Sequence, residues 1–533
     1  MALRMESAGP THSTERLRVG ILLDSYIVPA WVANIVRRLQ TSPFVEIAAV
    51  IQVPSTHHSH PFSRKHRLFT KYLEWDAQRT APEHDPFALV DLAPDLAQIA
   101  TAPSDLDLLL SLTSQPKPPE FHFSPRYGIW RFQHGNCPAE NDAACFWDLY
   151  RNNHVVRTAL LSFPAIAGSP HLLAEAFSAT VPGWSHRLNA AVPYARTSAL
   201  VLHSLRNISP NPEPQLSPEP PAPPCSPPSN AQMLKFLTRN AGRTIVRRAR
   251  YSHHVPHWFI AFRTDRAKFL ANTGRFDPAG FRPIEAPAGH FYADPFVIHW
   301  RGQDFLFFED YPYAEGKGCI SAMTIDANGK LGPPERVLER PYHLSYPFVF
   351  EQQNELFMIP ETLAAERIEL YRAIEGPSRW ELVKILRDQV RAVDTTLWIE
   401  NGVFYFFTNL AEGGATVNDD LFLFHADSLT GDWTPHPANP VCSDVRRSRS
   451  AGKLFRRGGK LFRPAQDCSV RYGYACQLNE IEVLSPLEYR ERPAFRIEPD
   501  WLPGLVGTHT INSNENIEVI DAQIIVPKRR VGA

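Results

Sequence analysis

What this chain has little of bounds it first. Seven cysteines occur in 533 residues, an odd number, scattered from Cys137 to Cys476 without a CxxC pair. That scarcity speaks against a disulfide scaffold or a zinc site and fits free thiols in a reducing compartment. No apolar run approaches the roughly 20 residues of a membrane span. The polar opening Met1 to Arg16 has no apolar core of the kind a secretory signal needs. An excess of one charge is missing too: formal net charge is −1, so no global field recruits nucleic acid or anionic lipid. No His/Cys/Asp grouping shows transition-metal spacing and no Ser-His-Asp order stands out, so no metal is expected. These absences read as a soluble, cytoplasmic protein.

What is present is apolar and aromatic, 44% and 11% of the chain, enough for sizeable cores. The length exceeds one ordinary core, and two or three domains are expected. Proline is plentiful but uneven. Ser209 to Asn230 is nearly half proline, which removes backbone donors and reads as an extended, semi-rigid spacer, with an SH3-type ligand as the alternative. Before it, Leu17–Leu23, Val45–Ile51 and Leu106–Leu112 have buried-strand patterns, and a helix pattern runs from Pro29 through Leu39. That alternation predicts a parallel, doubly wound α/β sheet. Its first strand-helix turn carries neither GxGxxG nor a GxxxxGK phosphate loop, which argues against a nucleotide site there. After the spacer, residues 235–250 form a basic, amphipathic stretch. It reads as a docking helix between domains, or as a peripheral contact with anionic headgroups.

The second half repeats itself. Tyr292-Ala293-Asp294-Pro295-Phe296-Val297 leads into Phe305-Leu306-Phe307-Phe308-Glu309. Leu344-Ser345-Tyr346-Pro347-Phe348-Val349 leads into Leu356 to Glu361, and Ala392-Val393-Asp394-Thr395-Thr396-Leu397-Trp398 into Val403 to Phe407. Weaker copies begin at Ser450 and Thr508. Copies lie roughly fifty residues apart, the period of a propeller. Five copies predict five blades, whose inner strands open onto one central funnel.

Two resemblances follow from the motifs. Tyr127 to Asn136, containing His134-Gly135, followed by Cys145-Phe146-Trp147-Asp148-Leu149-Tyr150, resembles the active-site region of formyltransferase-like domains. The resemblance implies a Rossmann-like fold, His134 as catalytic base and a folate formyl donor. Where that family has an asparagine two residues before the histidine, this chain has Phe132, and it offers no clear counterpart of the family's aspartate. His290 to Phe296, His343 to Phe350, Met358 to Glu361, Leu370 to Ala373, Gly431 to His436 and Arg463 to Cys468, in that order, resemble the N-terminal domain of glucosamine inositolphosphorylceramide transferases. That domain is a five-bladed propeller shaped like glycoside hydrolase family 43. This resemblance implies the fold and an association with a glycan, sugar nucleotide or glycolipid. Sugar transfer is not implied, since no glycosyltransferase domain is seen before Ala533. The expected layout is an α/β, formyltransferase-like domain over 1–208, the spacer over 209–230 and a basic helical connector over 231–275. An all-β five-bladed propeller over 276–526 and a tail over 527–533 complete it.

Family 43 hydrolases present three carboxylates from inner strands: a base, an acid and a third that tunes the acid. On that resemblance Asp294 matches the base and Asp394 also points into the funnel. Blade four opens with Arg449-Ser450-Ala451-Gly452, without a glutamate where an acid belongs. Glu361 and Asp467 end second strands and reach inward where those strands curve to the axis. Each aspartate also has a structural reading, because Asp at a strand start caps neighbouring turns. His343, Tyr346, Arg449, Asp467 and His509 are the expected substrate-binding residues, with Arg449 suited to an acidic or phosphorylated sugar. Tyr292, Tyr311 and Tyr313 are candidate stacking platforms.

Overall fold

A computed structural model describes residues 16–531, apart from 54–63, 97–98, 100–104, 114–124, 138–143, 164–169, 209–216 and 219–224. The chain forms two compact units, one of Met1–Ala144, Thr158–Glu175 and Thr197–Pro227, the other of Cys145–Arg157, Ala176–Arg196 and Pro228–Ala533.

In the first unit, strand Leu17–Leu23 lies between Val45–Gln52 and Leu108–Ser111, and Ile129–His134 follows, all parallel. Leu108 to Leu110 are wholly buried, as strands covered on both faces require. Helix Ala30–Gln40 starts directly after Pro29 and buries Val32, Ile35, Val36 and Leu39, the three-four spacing of one apolar face. The sheet is not parallel throughout. Beyond His134 the next strand, Val155–Phe163, runs antiparallel. Most of the proline-rich segment read as a spacer lies outside the described residues. Ser217–Pro218 pair with His171–Leu172, and Cys225 is disulfide-bonded to Cys137, with Cα atoms 5.9 Å apart. This corrects the reading of the cysteines as free thiols; the other five, all buried, are reduced.

The second unit contains the propeller. Blade one comprises His290–Trp300, Gln303–Pro312, Cys319–Ile325 and Glu335–Leu338, and blade two Ser345–Gln352, Glu355–Glu361, Arg367–Ala373 and Trp380–Asp388. Blade three comprises Ala392–Glu400, Val403–Leu410, Leu421–Ala426 and Thr434–Pro435, and blade four Arg449–Ser450, Lys460–Asp467, Ala475–Leu484 and Tyr489–Ile497. Blade five is composite: His254–Arg263 and Arg282–Ile284 join Leu505–Gly507, Ile511–Ser513 and Glu518–Pro527. The segment read as a connector therefore ends in a propeller strand. Its ten residues pair antiparallel with the last strand from His254–Pro527 to Arg263–Glu518, and Arg263 Nε donates to Glu518 Oε2 at 2.7 Å across the two strands.

The repeated phrase has a structural cause. In blade one the ladder jumps from Ala293–Glu309 to Phe296–Phe307, in blade two from Ser345–Glu361 to Phe348–Ile359, and in blade three from Val393–Asn409 to Thr396–Phe407. Each jump sets two residues against one, a β-bulge. The first bulged residue has positive φ each time: Asp294 at 49°, Tyr346 at 43° and Asp394 at 51°. Non-glycine residues rarely adopt that backbone, and β-branched ones least of all. Asp, Tyr and Asp therefore stand where the recurring aliphatic residues cannot.

Two further pieces belong to this unit. Helix Asn230–His253 opens on a capping box between Ser229 and Gln232 and buries Met233, Phe236 and Asn240. Phe236 packs on Phe146, ring centroids 5.2 Å apart. Segment 176–196 is bound to the propeller: Phe177 N–H donates to Ser443 O at 2.9 Å, and Arg196 is buried in ion pairs with Asp419 and Asp420.

Candidate functional site

The three bulges and the second-strand residues beside them build one cluster. Asp294 is 3% exposed and fully engaged. Its Oδ1 accepts from Thr510 Oγ1 at 2.8 Å, and its Oδ2 from Tyr346 N at 3.2 Å. Its own N–H donates to Asp521 Oδ2 at 3.1 Å. Asp521 also takes the backbone N–H groups of His509 and Thr510, each at 2.9 Å. His509 bridges the two carboxylates, with Nε2 3.5 Å from Asp294 Oδ1 and Nδ1 2.6 Å from Asp521 Oδ2. The second approach is a close ionic contact, not an aligned hydrogen bond. Burial disfavours charge on His509, but Asp521 and Asp294 outweigh it and push its pKa up. Burial, with Asp394 and Asp521 nearby, raises Asp294 to about 6 although His509 pulls the other way.

Asp394 is claimed by Arg449, whose Nε donates to Oδ2 at 2.7 Å and Nη2 to Oδ1 at 3.3 Å. Gln466 Nε2 adds a third bond at 3.0 Å. Arg449 also donates to Asn418 Oδ1 at 3.0 Å, and its guanidinium lies 4.8 Å from the Tyr472 ring centroid. The arginine at the head of blade four, expected to receive an acidic sugar, is thus held against Asp394. Glu361 accepts from Ser345 Oγ at 3.0 Å and from Leu363 N at 2.6 Å, and burial raises its pKa.

Glu309 was missed among the candidates. It pairs with Ala293 across the bulge of blade one as Glu361 pairs with Ser345 in blade two. Its carboxyl has no hydrogen bond among the described residues beyond the approach of His343 Nε2, 3.5 Å from Oε1. Burial first, then the charges of Asp294, Glu361, Asp521 and Asp394, hold its pKa well above the usual carboxylate range. His343 Nδ1 accepts the Gly318 N–H at 2.8 Å. Burial lowers the histidine's pKa, so the neutral ring carries its proton on Nε2, facing Glu309. Beside them Tyr311 stacks on Phe291, centroids 4.6 Å apart, and stands 6.0 Å from the His343 ring. Tyr472, 43% exposed, meets His509 edge-on at 5.4 Å.

Three expected residues take other places. Tyr346 is wholly buried. Its hydroxyl meets Thr396 Oγ1 at 2.8 Å and accepts from Gly452 N at 2.9 Å, which makes it a strut between blades two, three and four. Asp467 is bound to Arg496 and to Ser469 N. Neighbouring strand residues face opposite ways, so Gln466, not Asp467, reaches Asp394. His134 lies in the first unit, packed by Trp31 and Phe132 with centroids 5.6 and 5.7 Å away, and burial lowers its pKa to about 3. Tyr292, 2% exposed against Phe308, is core rather than platform. Where no metal was expected, Asp294, His509 and Asp521 set ligand atoms within 4.8 Å of one another, a grouping that could hold a metal ion.

The resemblance read from motif order is borne out in the propeller. Residues 283–499 match the family described as "Glucosamine inositolphosphorylceramide transferase 1, N-terminal". The chain is similar to glucosamine inositolphosphorylceramide transferase 1 of Oryza sativa subsp. japonica, 35% identical over 208 residues, covering 38% of this chain and 28% of that protein. The Arabidopsis thaliana protein of the same name is 35% identical over 206 residues, covering 38% and 27%. The matched region thus spans little more than a quarter of these relatives. Among solved structures, Zg3597, a family 117 glycoside hydrolase of Zobellia galactanivorans, aligns at 11% identity and TM-score 0.33 over 45% of this chain and 87% of that one. The Bombyx mori GH32 β-fructofuranosidase BmSUC1 aligns at 14% and 0.35 over 54% and 61%.

Proposed function

We propose that the propeller funnel binds the sugar of a glycan, sugar nucleotide or glycolipid and acts at its glycosidic bond. The relatives' name, with its glucosamine and its inositolphosphorylceramide, supports a glycolipid as the first class to test. The observation that carries the reading is the division of labour among the funnel carboxyls. Burial and the surrounding carboxylates push the Glu309 pKa well above the usual carboxylate range, towards the protonated form, while Asp294 ionises at about pH 6. Paired carboxyl groups in opposite protonation states are what glycosidic chemistry needs. Glu309 gives its proton to the departing glycosidic oxygen as that bond breaks, and Asp294 takes one from the attacking hydroxyl of water or an acceptor.

A second reading, a sugar-binding funnel without turnover, is favoured by the capture of Asp394 by Arg449 and Gln466. One experiment separates them. Glycans, sugar nucleotides and glycolipids are screened for binding and turnover with the whole chain, Asp294→Asn and Glu309→Gln. Turnover lost in both variants with binding kept supports chemistry. Binding without turnover in the parent supports the second reading, and turnover unchanged in both variants sinks the first.

A further inference from the structure

The second unit holds a cavity of about 330 Å³ outside the carboxylate cluster, between helix Asn230–His253, residues 149–154 and 180–184, and the turn at Ser469–Val470. Its character follows from the helix pattern. The face that buries Met233, Phe236 and Asn240 continues at three- and four-residue steps to Arg243, Thr244 and Arg247. The apolar stripe thus becomes a basic one just where the helix reaches the cavity. Arg243, Arg247 and Arg248 all line it, and no Asp or Glu does. None of the three forms an ion pair with an acidic side chain among the described residues. Arg243 is aimed by a hydrogen bond from Nη1 to Asn152 Oδ1 at 2.8 Å.

The cavity is also built, not merely charged. Trp184 Nε1 donates to Thr244 Oγ1 at 3.0 Å, and that hydroxyl donates to Asn240 O at 2.8 Å, which fixes one wall. Two lining side chains are left with unmet hydrogen-bonding groups. Asn240 is 7% exposed and Thr180 8%, yet the Asn240 amide nitrogen and the Thr180 hydroxyl have no partner among the described residues. A buried polar group without a partner costs about 1–3 kcal/mol, a cost that a ligand reaching these two lining residues from the cavity would relieve. Arginine forks, an amide N–H and a hydroxyl in an acid-free concavity match the oxygens of a phosphate group.

We infer that this cavity is a phosphate-binding site, taking a phosphomonoester or phosphodiester through Arg243, Arg247 and Arg248 with Asn240 and Thr180. The same chemistry is offered by a soluble phosphate ester and by a lipid headgroup. Ile245 and Val246, 68% and 67% exposed on the far side of the helix, leave either source open sterically. The site does not depend on the funnel being catalytic.

Calorimetric titration of the whole chain with inorganic phosphate and glycerol 1-phosphate tests the soluble source. Co-sedimentation with phosphatidylcholine vesicles containing about a fifth phosphatidic acid tests the lipid source. Both are repeated with Arg243→Gln/Arg247→Gln and with Asn240→Leu, folding being checked by circular dichroism. The expected result is binding in one arm, weakened at least about tenfold by the double arginine change, which removes two charge-assisted contacts. Asn240→Leu should weaken it less. Saturation with the soluble ester assigns a soluble ligand, and binding to vesicles alone assigns the headgroup. No binding in either arm, or binding that the folded arginine variant keeps in full, overturns the proposal.

Discussion

Asp294 carries the sharpest consequences at the level of single residues. Its pKa of about 6 lies above its ordinary 3.8, so the folded state favours the protonated form. The stability this group contributes is therefore greatest in acid and is lost as pH rises through about 6. Asp294→Asn should flatten the dependence of melting temperature on pH between about 4 and 6, and a pH series of thermal melts reads this directly. Under the proposed chemistry turnover has the opposite sign, because that reaction needs Asp294 ionised and Glu309 protonated. Activity should climb through about pH 6 and fall again where Glu309 loses its proton, above the usual carboxylate range, with Glu309→Gln abolishing it throughout. Arg449 supplies a stability test. Arg449→Ala strands Asp394 and should cost about 3–5 kcal/mol by urea unfolding, whereas Arg449→Met with Asp394→Asn, which removes the charge and keeps a residue suited to the positive φ, should recover part of that loss.

The bulge is the unit that matters at the level of elements. Tyr346 combines a positive φ with a hydroxyl shared by Thr396 and the Gly452 N–H. Tyr346→Phe keeps the ring but leaves that buried N–H unmet, an expected loss of about 1–3 kcal/mol in chemical denaturation. Gly318 is the other constrained position. A Cβ there would stand 2.5 Å from Leu344 O and 2.9 Å from Glu309 Oε1, so Gly318→Ala should displace Glu309 and cut turnover more than it lowers melting temperature.

The same elements explain what the sequence disclosed. The recurring phrase was legible because a bulge is local: small residue, bulged residue, then strand. Asp294, Asp394 and Glu361 could be placed from it. Glu309 was equally visible at the end of Phe307-Phe308-Glu309, and carrying the Ser345–Glu361 register back one blade identifies it. Asp521 was not legible, since its role depends on a strand more than two hundred residues away from Asp294, joined by a bond spanning 227 positions. Asp467 and Gln466 differ only in which face of a strand they occupy, which an apolar-rich stretch does not reveal. The pairing of Cys137 with Cys225 lay equally beyond spacing arguments, because a separation of 88 residues says nothing of proximity.

At the scale of the molecule, closure is the deciding feature. Glu518 holds Arg263 across the composite blade and also accepts the Leu270 N–H at 2.6 Å. Glu518→Ala should cost about 3–5 kcal/mol and lower the single melting transition of the propeller in calorimetry. The span matched by the family, 283–499, contains none of His254–Arg263 and none of the strands after residue 500. Expressed alone, it is a four-bladed arc with two bare edges, and it should show no cooperative melt where the whole chain does. Thr510, His509 and Asp521, three of the residues that hold Asp294, all arrive on the closing segment, while the Tyr346 N–H comes from blade two. During synthesis the first four blades therefore emerge with Asp294 held only by the Tyr346 N–H, and the rest of its environment is set when the last blade docks. Assembly of the carboxylate cluster is in this sense a timer on chain completion: a ribosome that stops short of the last blade releases four repeats of the motif and an unfinished funnel.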